Sequence, residues 1–422
     1  MHRERGTAVG RSPRGVAASI PEPLSTRRLD VDVFDIAILG AGCAGLSSCL
    51  ALLEAGFSGP IVLIDSRRTY LDDRTWCFWD VEPTPFSHLA RARWDTWKVA
   101  SADAAVEVSA PTTPYLCLAA TDFYRYALDS IATFPNVELR LGESVGDLRD
   151  DDDVAHVMTA AGVLRARHLI DSRGFSASHE QIADARASST WVAQQFLGLH
   201  IVSDRPVFDP TECTLMDFDV DQSGGLRFMY VLPTSTSEAL IEDVYMADTL
   251  LDADGYHGEI EQYLLQKFGL QREEYVVVGQ ERGYIPMTDH RFTRRVSPRI
   301  TALGTAGGAT RPSTGYTFLA IQRSVVDLVD RIIGGAPDAV EPSCSLLDAV
   351  FLRFLADHPK SAPRIFTLLF GRVPTPSLVR FLTERSGMRD HLRLILALPK
   401  IPFLRTAAKV LATRVARGRR HR

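Results

Sequence analysis

One run of residues near the start restricts the fold more than any other: VFDIAILGAGCAGLSSCLALLEAGFSGPIVLID, from Val33 to Asp65. Phe34 to Leu39 is apolar and of strand length. Gly40-Ala41-Gly42-Cys43-Ala44-Gly45 follows, and then Leu46, Cys49, Leu50 and Leu53 recur at helical spacing up to Gly56. Ile61 to Ile64 reads as a second strand, closed by Asp65. A G-x-G-x-x-G set between a strand and a helix, with an acid about twenty residues on, is the β-α-β dinucleotide fingerprint. Gly40 permits the sharp turn and Gly42 the approach of a pyrophosphate to the helix N-terminus. Gly45 permits close packing of helix on strand, and Asp65 suits both ribose hydroxyls.

Later segments decide between FAD and NAD. HLIDSRG, residues 168–174, is a strand ending in Asp-Ser-Arg-Gly, preceded by a meander of paired strands. RITALGTAGGATRPSTGYTFLAIQRS is a strand over 300–303, a glycine-rich loop, and a helix opening near Gly315. In a large class of flavoproteins such a late return aims a helix N-terminus at the flavin ring, where its positive end favours the anionic reduced form. A simple NAD dehydrogenase has no need of it, so the cofactor expected is FAD.

The fold class expected is α/β. An FAD-binding Rossmann-like domain of the glutathione-reductase/hydroxylase type is joined to an antiparallel β-sheet substrate domain and a helical C-terminal region. Residues 1–30 read as a disordered tail, and 31–90, 120–190 and 281–335 as the discontinuous FAD-binding domain. Residues 91–119 and 191–280 form the substrate sheet, and 336–422 the helical region with its basic tail. A net charge of −5 gives no overall attraction to nucleic acid. The six cysteines contain no C-x-x-C pair and no zinc spacing, so no metal is expected, and reduced thiols in the cytoplasm are. From His391 to Arg422 there is no Asp or Glu. Apolar Ile395, Leu396, Ile401, Phe403 and Leu404 lead into a run of Lys and Arg, which suits peripheral contact with an anionic membrane. Oligomeric state has no signature.

On these segments the chain resembles the FAD-dependent lycopene cyclases of carotenoid biosynthesis (the bacterial β-cyclase type), from about residue 33 to about 405. The residues carrying the resemblance are GAGCAGL (40–46), DDRTWCFWD (72–80), DSRG (171–174), RFMYVLP (227–233), LIEDVYM (240–246), GYIPM (283–287) and GTAGGATRPSTGYTF (304–318). DRTWCFW is the most specific of them. The resemblance implies an isomerase or intramolecular lyase, a flavoprotein with no net redox change. The linear ends of lycopene, a lipophilic polyene, are protonated and close to β-ionone rings, giving γ- and β-carotene. FAD acts reduced, with NAD(P)H as the electron source. Cofactor contacts are then expected at Gly40, Gly42, Cys43, Ala44, Gly45 and Asp65, with Arg74 on the flavin side. The later motifs add Gly174, Gly304, Thr305, Gly315 and Tyr316.

The resemblance places the acid at Glu242, with Asp243 beside it; Val244 stands where family members often have Thr. Neighbours on a regular strand face opposite ways, so only one of the two acids can face the substrate, and Glu242 is preferred. An apolar pocket raises its pKa and keeps it protonated, as donation to an alkene requires. Trp76, Phe78, Trp79, Phe228 and Tyr230 are the candidate tunnel aromatics, since ring faces attract a carbocation. In an extended segment Trp76 and Phe78 share one face and Trp79 takes the other, so only half of that cluster can line one tunnel. The alternatives are other flavoproteins acting on a polyprenoid. A monooxygenase of the hydroxylase type would carry Gly-Asp where Gly304-Thr305 stands, and the halogenase W-x-W-x-I-P is absent. The run from Phe228 to Pro233 is similar to the Y-x-W-x-F-P element of geranylgeranyl reductases.

Overall fold

The structure is a computed structural model that describes residues 28–151, 153–174, 179–246, 253–335 and 344–420. Residues 1–27 of the expected tail, Asp152, the start of the expected helical region (336–343) and Arg422 lie outside the described residues.

The chain begins with β1 (Phe34–Leu39), α1 (Cys43–Glu54) and β2 (Ile61–Asp65). Five short strands follow: β3 (Thr75–Trp79), β4 (Ala92–Trp94), β5 (Thr96–Ser101), β6 (Ala104–Ser109) and β7 (Tyr115–Ala119). Next come α2 (Ala120–Ala132), β8 (Val137–Leu141), β9 (Val145–Asp150), β10 (Ala155–Thr159), β11 (Gly162–Asp171) and α3 (His179–Ser188). The long strands are β12 (Trp191–Ser203), β13 (Glu212–Asp217), β14 (Leu226–Pro233) and β15 (Glu238–Met246), followed by α4 (Ala253–Phe268) and β16 (Tyr275–Thr288). The chain then returns through β17 (Ile300–Ala302) and α5 (Phe318–Gly334). It ends in α6 (Leu346–Asp357), α7 (Ala362–Arg372), α8 (Thr375–Leu382), α9 (Met388–Ala397) and α10 (Lys400–Arg420).

The first sheet runs β8-β2-β1-β11-β10-β9, with β17 pairing in parallel with the last residues of β11, beyond the part that pairs with β10. Its central strands are apolar on both faces, as a sheet covered on both sides requires. Ile36 and Ile38 pack towards α1, α2 and α5, while Ala37 and Leu39 pack against the β9–β11 meander.

The second sheet runs β16-β12-β15-β14-β13-β5-β6. It is antiparallel as expected, except that β13 and β5 pair in parallel. The chain leaves this sheet after β6, passes through the first sheet and returns, so no hairpin ties β5 to β13 and either direction is open. The 91–119 segment also divides: β5 and β6 join this sheet, whereas β4 and β7 pair with β3. β16 stays in the sheet as far as Thr288, past the boundary expected at 280. One face of the sheet, through Leu197, Leu199, Ile241 and Tyr245, is covered by Tyr256, Ile260 and Leu264 of α4. The other face looks towards the first sheet and towards α6, α7 and α8.

The small sheet β3-β7-β4 stands between the two cores. The strand period of two sends Phe78 to the nucleotide side, where it stacks on Phe318 at 4.6 Å, and Trp79 to the other side, against Trp97, Tyr115 and Tyr316.

Candidate active site

A cavity of about 910 Å³ runs from the β1–α1 turn, past the late glycine loop, to the inner face of the second sheet. That is the upper end of the range for small-molecule pockets. At the nucleotide end, Gly42, Cys43, Ala44, Arg67, Arg74 and Gly174 line it. A Cβ on Gly45 would fall 1.9 Å from the Gly40 carbonyl oxygen, so α1 packs on the turn as closely as the backbone allows. Gly40 has φ of +89° and closes on Ser172. Neither glycine lines the cavity; both shape the turn that does. Asp65 also braces this turn: its carboxylate accepts from the amides of Ala41 at 2.7 Å and Arg67 at 2.8 Å. The Cys43 thiol is pushed up to about 12 by burial and stays neutral.

At the late loop, Gly304, Thr305, Thr314, Gly315, Tyr316 and Thr317 line the cavity, and α5 starts at Phe318 with no side-chain cap on its first turn. Gln194 Oε1 and Thr314 Oγ1 are buried here, line the cavity and make no hydrogen bond among the described residues. A glycine-cradled turn at one end and unmatched polar atoms at the other fit FAD, whose pyrophosphate and ring edge take up such groups.

The far end belongs to the second sheet. Tyr230, Glu242, Gly198 and Glu281 stand side by side on β14, β15, β12 and β16, one row across four strands. Glu242, Val244 and Met246 face the cavity. Glu242 is only 7% exposed. Burial first, then the charge of Glu281 and a hydrogen bond to it, push the Glu242 carboxyl well above the usual range. Glu281 is lowered although burial opposes this, because His200, the proton of Glu242 and the Thr75 hydroxyl all favour its carboxylate. Two adjacent buried carboxyls are thus pushed in opposite directions, Glu242 up and Glu281 down.

Asp243 corrects the pairing of the two acids. Its side chain takes the other face of β15 and receives Arg227 Nε at 2.7 Å, with Glu259 3.1 Å from the same guanidinium. Alternation along the strand separates the neighbours, and Asp243 does not line the cavity. The aromatic cluster needs a similar correction. Trp76, Phe228 and Tyr230 line the cavity. Phe78 and Trp79 do not, since each is enclosed by the core on its own side of β3. Cys77 takes the cavity position that the cluster had suggested for an aromatic. Arg74 lines the cavity, with its Nε 3.8 Å from Asp73. Tyr230 donates to the Tyr115 hydroxyl at 2.8 Å, and Tyr115 in turn reaches Tyr316 at 3.5 Å, which joins the acid's row to the late loop.

Sequence reasoning missed Glu281, His200, Gly198 and Arg67. Glu281 lies two residues before Gly283, on the same strand as the quoted GYIPM, but only the sheet order brings it beside Glu242. Arg67 follows the expected acid by two residues and its guanidinium lies over the rings of Tyr70 and Tyr124, at 4.9 and 5.3 Å.

The lycopene cyclase protein family model matches residues 35–408. The chain belongs to the lycopene cyclase family. Among curated relatives of this cyclase-family chain, lycopene beta-cyclase of Paracoccus sp. (strain N81106 / MBIC 01143) is 29% identical, over 90% of this chain and 97% of the relative. Lycopene beta-cyclase of Pantoea ananas is 25% identical, over 90% and 98%. Solved structures share the fold of this cyclase-family chain at low identity. A geranylgeranyl bacteriochlorophyll reductase-like protein of Thermoplasma acidophilum has a TM-score of 0.58 at 10% identity, covering 90% of this chain and 99% of that one. Halogenase PltM in complex with phloroglucinol and FAD has a TM-score of 0.56 at 15% identity, covering 92% of each chain. The fold is therefore that of the FAD-dependent flavoproteins.

Proposed function

We propose that the chain is a lycopene beta-cyclase that closes the linear ends of lycopene into β-ionone rings. The observation that carries this reading is a buried carboxyl, Glu242, pushed well above the usual range, in a largely apolar, aromatic-lined cavity that also reaches a dinucleotide-binding turn.

The chemistry follows from these side chains. Glu242 breaks its O–H bond and delivers the proton to a terminal double bond of the polyene, forming a C–H bond and a tertiary cation. A neighbouring double bond attacks that cation and closes the ring. Loss of a proton from an adjacent carbon restores neutrality, so the product is an isomer of the substrate. Trp76, Phe228 and Tyr230 line the cavity where the cation forms, and each desolvated ring face stabilises it by ~0.5–2 kcal/mol. The Tyr230 hydroxyl, pushed well up by burial, is committed to Tyr115 and stays neutral, so it does not trap the cation as a phenolate. Gly42, Cys43, Ala44 and Arg67 would hold the nucleotide, with Gly304, Thr305, Gly315 and Tyr316 at the ring. When bound in its reduced form, FAD supplies electron density beside the cation, with NAD(P)H as the electron source and no electrons retained in the product.

Delivery of so apolar a substrate suits a protein that rests on a membrane. Among the described residues no helix is long and apolar enough to cross one. α9 and α10 nevertheless expose Leu392, Leu396, Ile401 and Leu404 beside Arg389, Arg393, Lys400 and Arg405. Peripheral attachment to an anionic bilayer is the contact this surface favours.

Expression in a lycopene-accumulating bacterium, followed by chromatography and mass analysis of the pigments, tests the reading. Cyclic carotenoids of unchanged mass are expected. The Glu242→Gln protein should retain FAD and leave lycopene untouched. A product heavier by added hydrogen would replace cyclisation with reduction, and full activity of Glu242→Gln would remove the acid assignment.

A further inference from the structure

We propose that Glu281 is a positioning residue for the acid: it shares the proton of Glu242 across the side-chain gap at Gly198 and joins that proton to solvent through His200. This rests on the cyclase reading for its role in turnover, but the proton-sharing pair itself does not.

The geometry comes from three strands. β12 lies between β15 and β16, and its Gly198 stands opposite both Glu242 and Glu281. All three positions present the same face. A Cβ at Gly198 would sit 3.0 Å from the Glu242 Cγ and 3.1 Å from the Glu281 Cγ, so the two side chains lean over a position with no side chain of its own. Any larger residue there would keep them apart.

The surroundings then assign the proton. Glu281 Oε2 accepts from the Thr75 hydroxyl at 2.9 Å and faces His200 Nε2 at 3.6 Å. Both contacts favour a carboxylate. Glu281 Oε1 is buried with no other hydrogen-bond partner among the described residues, which leaves it as the acceptor for the O–H of Glu242. The remaining titratable groups facing the pair are Cys77 of β3, Cys117 of β7 and Tyr230 of β14. Cys77 and Tyr230 are pushed well up by burial and carry no charge. His200, when protonated, is thus the cation that faces the pair among the described residues. Side-chain exposure rises along the series, from 1% at Glu281 to 22% at His200. Glu242 borders the cavity and His200 approaches the solvent, with Glu281 between them.

The pair explains how the acid is reset. Once Glu242 has delivered its proton, two carboxylates stand together in a dry site, and their repulsion drives reprotonation. His200 gives a proton to Glu281, its N–H breaking as an O–H forms, and Glu281 passes one to Glu242. The proton lost by the ring carbon returns to the solvent pool, so the cycle balances without any further reactant.

The contrasting role for Glu281 is structural, tying β16 to β3 through Thr75. Infrared titration of the flavin-loaded protein separates the two without relying on turnover. The carbonyl stretch of a buried protonated carboxyl is expected to persist well above the usual carboxyl range in the unaltered protein and to be absent from Glu242→Gln. In Glu281→Gln the amide still accepts the hydrogen bond but carries no charge. The band should then titrate lower by about one pH unit or more, and Glu281→Asp should restore much of the shift. The alkaline limb of kcat/KM on lycopene should move down with it. In His200→Asn, exchange of the carboxyl proton into deuterated water should slow several-fold. A band that survives in Glu242→Gln, or titrates unchanged in Glu281→Gln, overturns the proposal. So does a loss of activity in Glu281→Gln that is uniform across pH. If the band behaves as expected and lycopene is not cyclised, the substrate reading fails and the carboxyl pair stands.

Discussion

Glu242 and Asp243 are adjacent in sequence and opposite in consequence. Glu242 meets an apolar cavity and another carboxyl; Asp243 meets a guanidinium. Arg227 is 5% exposed and Asp243 fully buried, so their ion pair is closed to water. Removing one member of such a pair leaves an uncompensated charge, at roughly 3–5 kcal/mol. Asp243→Ala is therefore expected to lose stability on that order, measured by urea unfolding, with Glu259 limiting the damage because it remains 3.1 Å from Arg227. Glu242→Gln should unfold at nearly the same urea concentration as the unaltered protein, because a buried neutral acid is replaced by a neutral amide of like shape. Equal destabilisation by both changes would mean that Glu242 is ionised in the folded protein. Activity also has a defined direction with pH. On the cyclase reading the acid must be protonated and its carboxyl is raised, so turnover is expected to be kept below the raised value and lost as pH rises through it.

The elements that were legible in sequence are those whose constraint is local. The β1–α1 turn needed only its glycines and flanking apolar runs, because contact between helix and strand there is a matter of a few residues. Gly45→Ala gives that constraint a test. The added Cβ would meet the Gly40 carbonyl at 1.9 Å, and neither backbone can yield without moving α1 off β1. The variant is expected to be purified without bound flavin, read from its visible absorbance; normal flavin content would show that the turn tolerates separation. The alternation of β15 was equally legible, and it alone separated Glu242 from Asp243. Strand partnership was not. Glu281 and Gly198 join the site only through the order β16-β12-β15, which brings together residues far apart in sequence. The DRTWCFW run was legible only in part for a related reason. Trp76 lines the cavity, but β3 is packed on both faces by separate cores, and burial of Phe78 and Trp79 satisfies packing rather than the cavity.

At the scale of the whole molecule, the cavity is closed on one side by Phe366 and Phe370 of α7 and Leu382 of α8. α9 packs on both of these helices. Its exposed residues Met388, Leu392, Ile395 and Leu396 recur at i, i+4, i+7 and i+8, an apolar stripe with nothing over it among the described residues. α10 continues the pattern with Ile401, Leu404, Leu411 and Val415. With no acid from His391 onward, the same surface is apolar and cationic together. Such a surface gains both from burial in acyl chains and from anionic headgroups, at about 1 kcal/mol per basic residue near the bilayer. Changing Leu396, Ile401 and Leu404 to serine should thus weaken flotation with vesicles of mixed anionic and neutral phospholipid, while FAD content and the urea midpoint hold. Raising salt should weaken binding of the unaltered protein only in part, because screening removes the charge contribution and leaves the apolar one. Binding abolished by salt alone would assign attachment to the basic residues and leave the stripe without a role. Binding unaffected by the three serines would separate the membrane from the helices that enclose the cavity, and the substrate would then need another way in.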